Sequence, residues 1–165
     1  MKTIVIGVGN PILKDDGIGI HVANKLKQIV KSSGITIDEA MTGGMNLLDL
    51  ILGYDKAIII DAVNIKNASD GEVKRFHLTD FSSVHSNNPH DVSLLEAIKL
   101  AEHLGEKRIP NEIIIIGIVL KKMPYVFGDQ LSKKIADSIP KAIELTLSEI
   151  KKNMNICELN NKILT

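Results

Sequence analysis

Two adjacent carboxylates, Asp15 and Asp16, stand in a glycine-punctuated turn that runs from Gly7 to Gly19, between a short apolar run and a helix-like one. A third acid, Asp61, closes the apolar stretch Ala57-Ile58-Ile59-Ile60, and His90 falls within Asn88-Pro89-His90-Asp91, the opening of another helical pattern. Two carboxylates and an imidazole make a ligand set suited to a divalent transition metal, and the acids alone are candidates for general acid and base. Each residue also has a plainer reading. Asp15 or Asp16 can cap the helix that follows, and because adjacent side chains diverge, at most one of them is expected to face a cleft while the other caps. Asp61 can simply end a strand, although four apolar residues precede it, and His90 can be a surface residue that helps a cap. His21, His77, His85 and His103 read as surface histidines.

These groups can meet only if the chain brings them to one edge, so the elements come next. Thr3 to Val8 is a β-branched run suited to a strand buried on both faces. Ile18, Val22, Leu26 and Ile29 or Val30 then recur at helical spacing, and Ser32-Ser33-Gly34 closes that helix. Ile35 to Asp38 reads as a second strand, Thr42-Gly43-Gly44 as a turn, and Met45 to Leu52 as a short helix stopped by Gly53. Ala57 to Asp61 is the next buried strand, with a loop-like stretch from Val63 to Gly71 after it. Glu72 to Leu78 has the mixed character of a half-exposed strand added to the sheet as in a hairpin. The polar segment from Phe81 to Asn88 is a long connection, and long loops in compact domains are more often functional than accidental.

Asn88 then opens a helix as its cap, with Pro89 at the first helical position and Asp91 as a box-like partner. A strand from Glu112 to Val119 is interrupted by Gly117, which suggests close approach of a backbone or a ligand. Leu131, Ile135, Ile139, Ile143, Leu147 and Ile150 mark a terminal helix, bent or restarted at Pro140. Strands alternating with helices predict a three-layer α/β/α sandwich whose central sheet is mostly parallel, with one antiparallel strand. In such a sheet the parallel strands present their carboxyl ends at one edge, where sites are usually built. Asp15, Asp16, Thr42-Gly43-Gly44 and Asp61 are expected there. The helix that carries His90 is expected to start where the chain returns to it.

Composition narrows the classes. The 165 residues suit one domain, read as 1–152 with a polar tail at 153–165. Twenty basic residues balance twenty acidic ones, and tyrosine and phenylalanine number only two and three. That composition leaves no electrostatic footprint for nucleic acid. The longest apolar run, Ile113 to Leu120, is far short of a bilayer span, so no membrane insertion is expected and the cytoplasm is the expected compartment. The single Cys157, in the polar tail, provides neither a disulfide nor a cysteine metal cluster and reads as a bystander thiol. A dinucleotide site fails because Ile12 holds the place of the third glycine and Pro11 lacks a donor. Thr42-Gly43-Gly44 lacks the Lys-Ser/Thr continuation of a phosphate loop, and no Gly-x-Ser-x-Gly elbow is present.

Taken together, the motifs resemble one family: the endopeptidases that mature nickel-iron hydrogenases by trimming the carboxyl-terminal extension of the large subunit. The likeness runs in order through Gly7-Val8-Gly9-Asn10-Pro11, Asp15-Asp16-Gly17-Ile18-Gly19, Thr42-Gly43-Gly44-Met45-Asn46-Leu47-Leu48, Ile58-Ile59-Ile60-Asp61-Ala62, Pro89-His90 and Ile116-Gly117-Ile118, and ends with Leu131-Ser132 and the terminal helix. It implies a phosphorylase/hydrolase-like fold, with Asp16, Asp61 and His90 as the catalytic and metal-contacting set. Asp15 is left as the expected cap. Thr42, Gly43 and Gly44 are implied to shape the cleft for the peptide.

Asp16 stands where family members often carry glutamate and supplies the same hard oxygen ligand. The implied partner is the large-subunit precursor after nickel insertion, so the nickel belongs to the substrate and no organic cofactor is expected. Met41 departs from the glycine that many relatives have before the Thr-Gly-Gly turn, and Glu39 is the acid that precedes it, which bears on substrate preference. Two rival readings are a nickel-checking chaperone that binds the same precursor without cutting it, and a nucleoside- or phosphate-binding enzyme on a related fold.

Overall fold

The computed structural model describes residues 1–82, 89–122 and 126–152, and side chains outside 81–93. The 83–88 part of the long connection, His85, the Asn88 cap, the side chains of His90 and Asp91, and the 153–165 tail with Cys157 lie outside the described residues.

Among the described residues five strands form one sheet in the order β2-β1-β3-β5-β4. They are β1 (Thr3–Val8), β2 (Ile35–Ala40), β3 (Lys56–Val63), β4 (Val73–His77) and β5 (Glu112–Val119). The pairs β1 with β2, β1 with β3 and β3 with β5 are parallel, and β4 alone runs antiparallel to β5. β1 and β3 are buried along their whole length, which is why their sequences are apolar runs without alternation. One face is covered by α1 (Ile18–Ile29) and α5 (Ile139–Lys151), whose Val22, Leu26, Ala142 and Ile150 pack with Ile58, Ile60 and Ile116. The other is covered by α2 (Gly44–Ile51) and α3 (Pro89–His103), where Leu47, Leu48, Leu94 and Ile98 meet Ile4, Ile6 and Ile59. This is the expected α/β/α sandwich. Among the described residues no helix is long and apolar enough to cross a membrane.

The amino edge of the sheet is tied by charge. Lys56, fully buried at the start of β3, pairs with Glu112 at 2.9 Å and with Glu149 of α5 at 3.2 Å. Arg75 of β4 joins Glu149 at 2.7 Å, so one carboxylate on a helix gathers two strands. Burial alone would raise the Glu149 pKa, but hydrogen bonds from Arg75, Lys152 and Lys56 outweigh it and hold the group at about 2.

Three details differ from the sequence reading. No aspartate caps α1: its N-cap is Gly17, without a side-chain cap bond, because a 3-10 turn, Lys14–Gly17, comes before the helix and carries both acids. β3 does not end on Asp61, since Ala62 and Val63 continue the ladder opposite Ile118 and Val119. Gly117 makes room for side chains, because a Cβ there would fall 2.7 Å from Val63 Cγ2 and 3.1 Å from the Phe76 ring. The terminal helix does restart at Pro140 as expected: α4 (Lys133–Ala136) precedes α5, and Pro140 takes a first-turn position that needs no N–H partner.

Candidate active site

The turn after β1 is shaped by backbone contact. Gly9 has φ +145°, and a Cβ on it would lie 2.0 Å from the Asp16 carbonyl oxygen. A Cβ on Gly19 would lie 2.2 Å from the carbonyl oxygens of both Val8 and Ile60, so the first turn of α1 presses directly onto β1 and β3. Between them the Leu13 N–H reaches the Asn10 carbonyl and the Asp16 N–H reaches the Leu13 carbonyl, each at 3.1 Å. The Asn10 N–H in turn donates to Asp16 Oδ2 at 2.9 Å. Asp16 is therefore held by the turn it belongs to, and it is 7% exposed.

Asp61 lies within β3 opposite Gly117 and is 1% exposed. Its Oδ1 accepts the Ala62 N–H at 2.8 Å. Alternation along the strand places it on the same face as Ile59 and Val63, the face covered by α2 and α3. The 3-10 turn packs against β3, so the structure brings the Asp16 and Asp61 segments together at the carboxyl edge.

Thr42-Gly43-Gly44 joins the same edge. The Gly9 N–H donates to the Ala40 carbonyl at 3.2 Å, which sets the turn after β1 beside the end of β2. Gly44 then opens α2 with φ +58°, a conformation that favours glycine. The Thr42 hydroxyl accepts a bond from Asn46 Nδ2 at 3.2 Å. Glu39 is engaged by Lys27 at 2.6 Å on the flank of the sheet, and Met41 is 72% exposed. His90 is the second residue of α3. The later part of that helix, Ile98 and Glu102, walls a cleft with Pro110 and Glu112 at the amino edge. The helix rise thus sets the His90 backbone about 18 Å along the axis from Glu102. Among the described side chains, which do not include that of His90, no three His, Cys, Asp or Glu groups form a metal-holding cluster.

Sequence reasoning missed what holds this turn from outside. Asp15 Oδ1 accepts the Ser132 N–H at 2.6 Å, across 117 positions of sequence. The Lys14 N–H donates to the Gly128 carbonyl at 2.8 Å, and the Gly128 N–H to the Ile12 carbonyl at 2.9 Å. Such pairings have no periodicity, and only Gly128 hints at them, because the Lys14 stem would lie 3.0 Å from a Cβ there. Ile12, Met45, Val126 and Phe127 are also exposed at this edge, Phe127 by 77%.

A sequence profile described as hydrogenase maturation protease matches residues 20–149. A Methanocaldococcus jannaschii protein described as a candidate hydrogenase maturation protease is 30% identical over 90% of this chain and 96% of its own. The hydrogenase 2 maturation protease of Escherichia coli is 25% identical over 93% of each chain. The fold is matched by the structure of the hydrogenase maturating endopeptidase HybD from Escherichia coli, with a TM-score of 0.78 at 24% identity, covering 92% of this chain and 93% of that one.

Proposed function

Because the chain belongs to the hydrogenase maturation protease family, we propose that it is the endopeptidase that removes the carboxyl-terminal extension of a nickel-iron hydrogenase large-subunit precursor once nickel has been inserted. The observation that carries this reading is the pair Asp16 and Asp61, two buried carboxylates set at the carboxyl edge by β1 and β3.

In the proposed site Asp16, Asp61 and His90 contact nickel that arrives with the precursor. Oxygen and imidazole donors suit that ion, and when bound it polarises the scissile carbonyl or a water. His90 belongs to the first turn of α3, and a neutral imidazole is the form of histidine that coordinates a metal. A carboxylate of the pair takes the proton of the attacking water and returns one to the departing amine. In the metal-free form of this chemistry Asp16 and Asp61 divide the acid and base roles, as in aspartic proteases. Thr42, Gly43 and Gly44 border the peptide's path, and the exposed apolar side chains at the edge receive the precursor. Incubation with nickel-loaded and metal-free precursor, read by loss of the carboxyl-terminal peptide, tests the assignment and separates the two forms.

A further inference from the structure

We propose that Asp15 is a positioning residue that acts through Asp16, by latching the segment after β5 onto the turn that carries the catalytic acid. The turn cannot be fixed by its own contacts alone. Lys14 sits at φ +45°, a left-handed conformation that a lysine adopts only where its surroundings demand it. Three hydrogen bonds from one distant segment supply that demand: Lys14 N–H to the Gly128 carbonyl, Gly128 N–H to the Ile12 carbonyl, and Ser132 N–H to Asp15 Oδ1.

The first two are reciprocal backbone bonds that make a one-rung parallel bridge between Leu13 and Gly128. The third is charge-assisted and closes the other end of the segment. The bridge and the latch grip residues 12–15 from one side, and the Asn10 N–H grips Asp16 from the other. Without the latch, the bridge is a single rung between two loops, and the 3-10 turn is free to unwind at its first residue. The direction of the Asp16 carboxylate is set by that turn.

This inference rests on the reading of Asp16 as catalytic, and the test separates the two. Asp15→Ala removes the acceptor, and Asp15→Asn keeps an oxygen that can accept the same bond. Ser132→Pro removes the donor from the opposite side at a residue whose φ of −62° proline adopts. Amide hydrogen exchange by NMR needs no precursor. The Lys14 and Gly128 amides should exchange about tenfold faster in Asp15→Ala and in Ser132→Pro, the size of one hydrogen bond to a charged group, with the β3 amides unchanged.

In cleavage of nickel-loaded precursor, kcat should fall about tenfold in both variants with KM held, Asp15→Asn should fall clearly less than Asp15→Ala because it keeps the acceptor but not the charge, and the double variant should be no worse than either single one. Unchanged exchange at Lys14 and Gly128 overturns the latch. Equal impairment of Asp15→Asn and Asp15→Ala overturns the positioning role, because charge rather than the accepted bond is then what matters. Full cleavage by Asp16→Asn overturns the site reading and, with it, the catalytic half of the inference.

Discussion

The Asn10 N–H donates to Asp16 Oδ2 at 2.9 Å, so the carboxylate proposed to face the substrate is anchored by the residue that opens its own turn. Asp61 is fixed in the same manner one strand away, by the N–H of the residue that follows it. Both acids spend a backbone donor on orientation before any substrate arrives, which is the preorganisation that catalysis by fixed groups needs.

Replacing either carboxylate by its amide keeps the shape and removes the base. Asp16→Asn and Asp61→Asn should each cut precursor cleavage by about a thousandfold while circular dichroism shows a retained fold. Cleavage at the normal rate by either variant would remove that residue from the site.

The close approach of α1 to the sheet forbids a side chain at Gly19. Gly19→Ala would drive a methyl into the Val8 and Ile60 carbonyl oxygens, each 2.2 Å away. Backbone on both strands would have to shift, at a cost of about 3 kcal/mol or more. A melting temperature equal to wild type would contradict the packing described.

Charge at the amino edge makes stability depend on acid. The Glu149 carboxyl takes its proton near 4.5 when unfolded and near 2 when folded. Between those values the unfolded chain binds more protons, so stability that is fully present above about 4.5 is lost as the pH falls toward 2. Denaturant titrations across that range should show the loss in wild type and a flatter profile in Glu149→Gln. Lys56→Ala, which breaks a pair whose side chains are 1% and 3% exposed, should cost about 3 kcal/mol at neutral pH.

Phe127 is 77% exposed beside the bridge to the turn that carries Asp16, and it can be lost without cost to the core. Phe127→Ser should leave the melting temperature unchanged and raise KM for the precursor about fivefold, as the loss of an aromatic anchor at an interface does. An unchanged KM would place the precursor elsewhere.

The sandwich was legible in the sequence because β1, β3 and β5 are buried on both faces and must read as apolar runs, while α1 and α2 carry clear helical periodicity. The edge strand β4 was legible from its mixed composition, although it is not added as in a hairpin, since it pairs with β5 across the intervening α3. Asp61 stood out because an acid within such a run has no apolar excuse, yet the strand end was misplaced, because Val63, a β-branched residue that suits a strand, was read with the loop that follows it. The duty of Asp15 was hidden for a different reason. A cap is a local relation that spacing can suggest, whereas the bond to Ser132 depends on where the chain returns after β5. The charge cluster around Glu149 was hidden likewise, because Lys56, Arg75 and Glu112 are brought to it only by the strand order.

The most direct test of the proposed activity is mass spectrometry of a nickel-loaded large-subunit precursor before and after incubation with the purified protein. The account predicts loss of one carboxyl-terminal peptide with wild type and no loss with Asp16→Asn. A precursor that is bound but stays intact with wild type would contradict it and favour the chaperone reading.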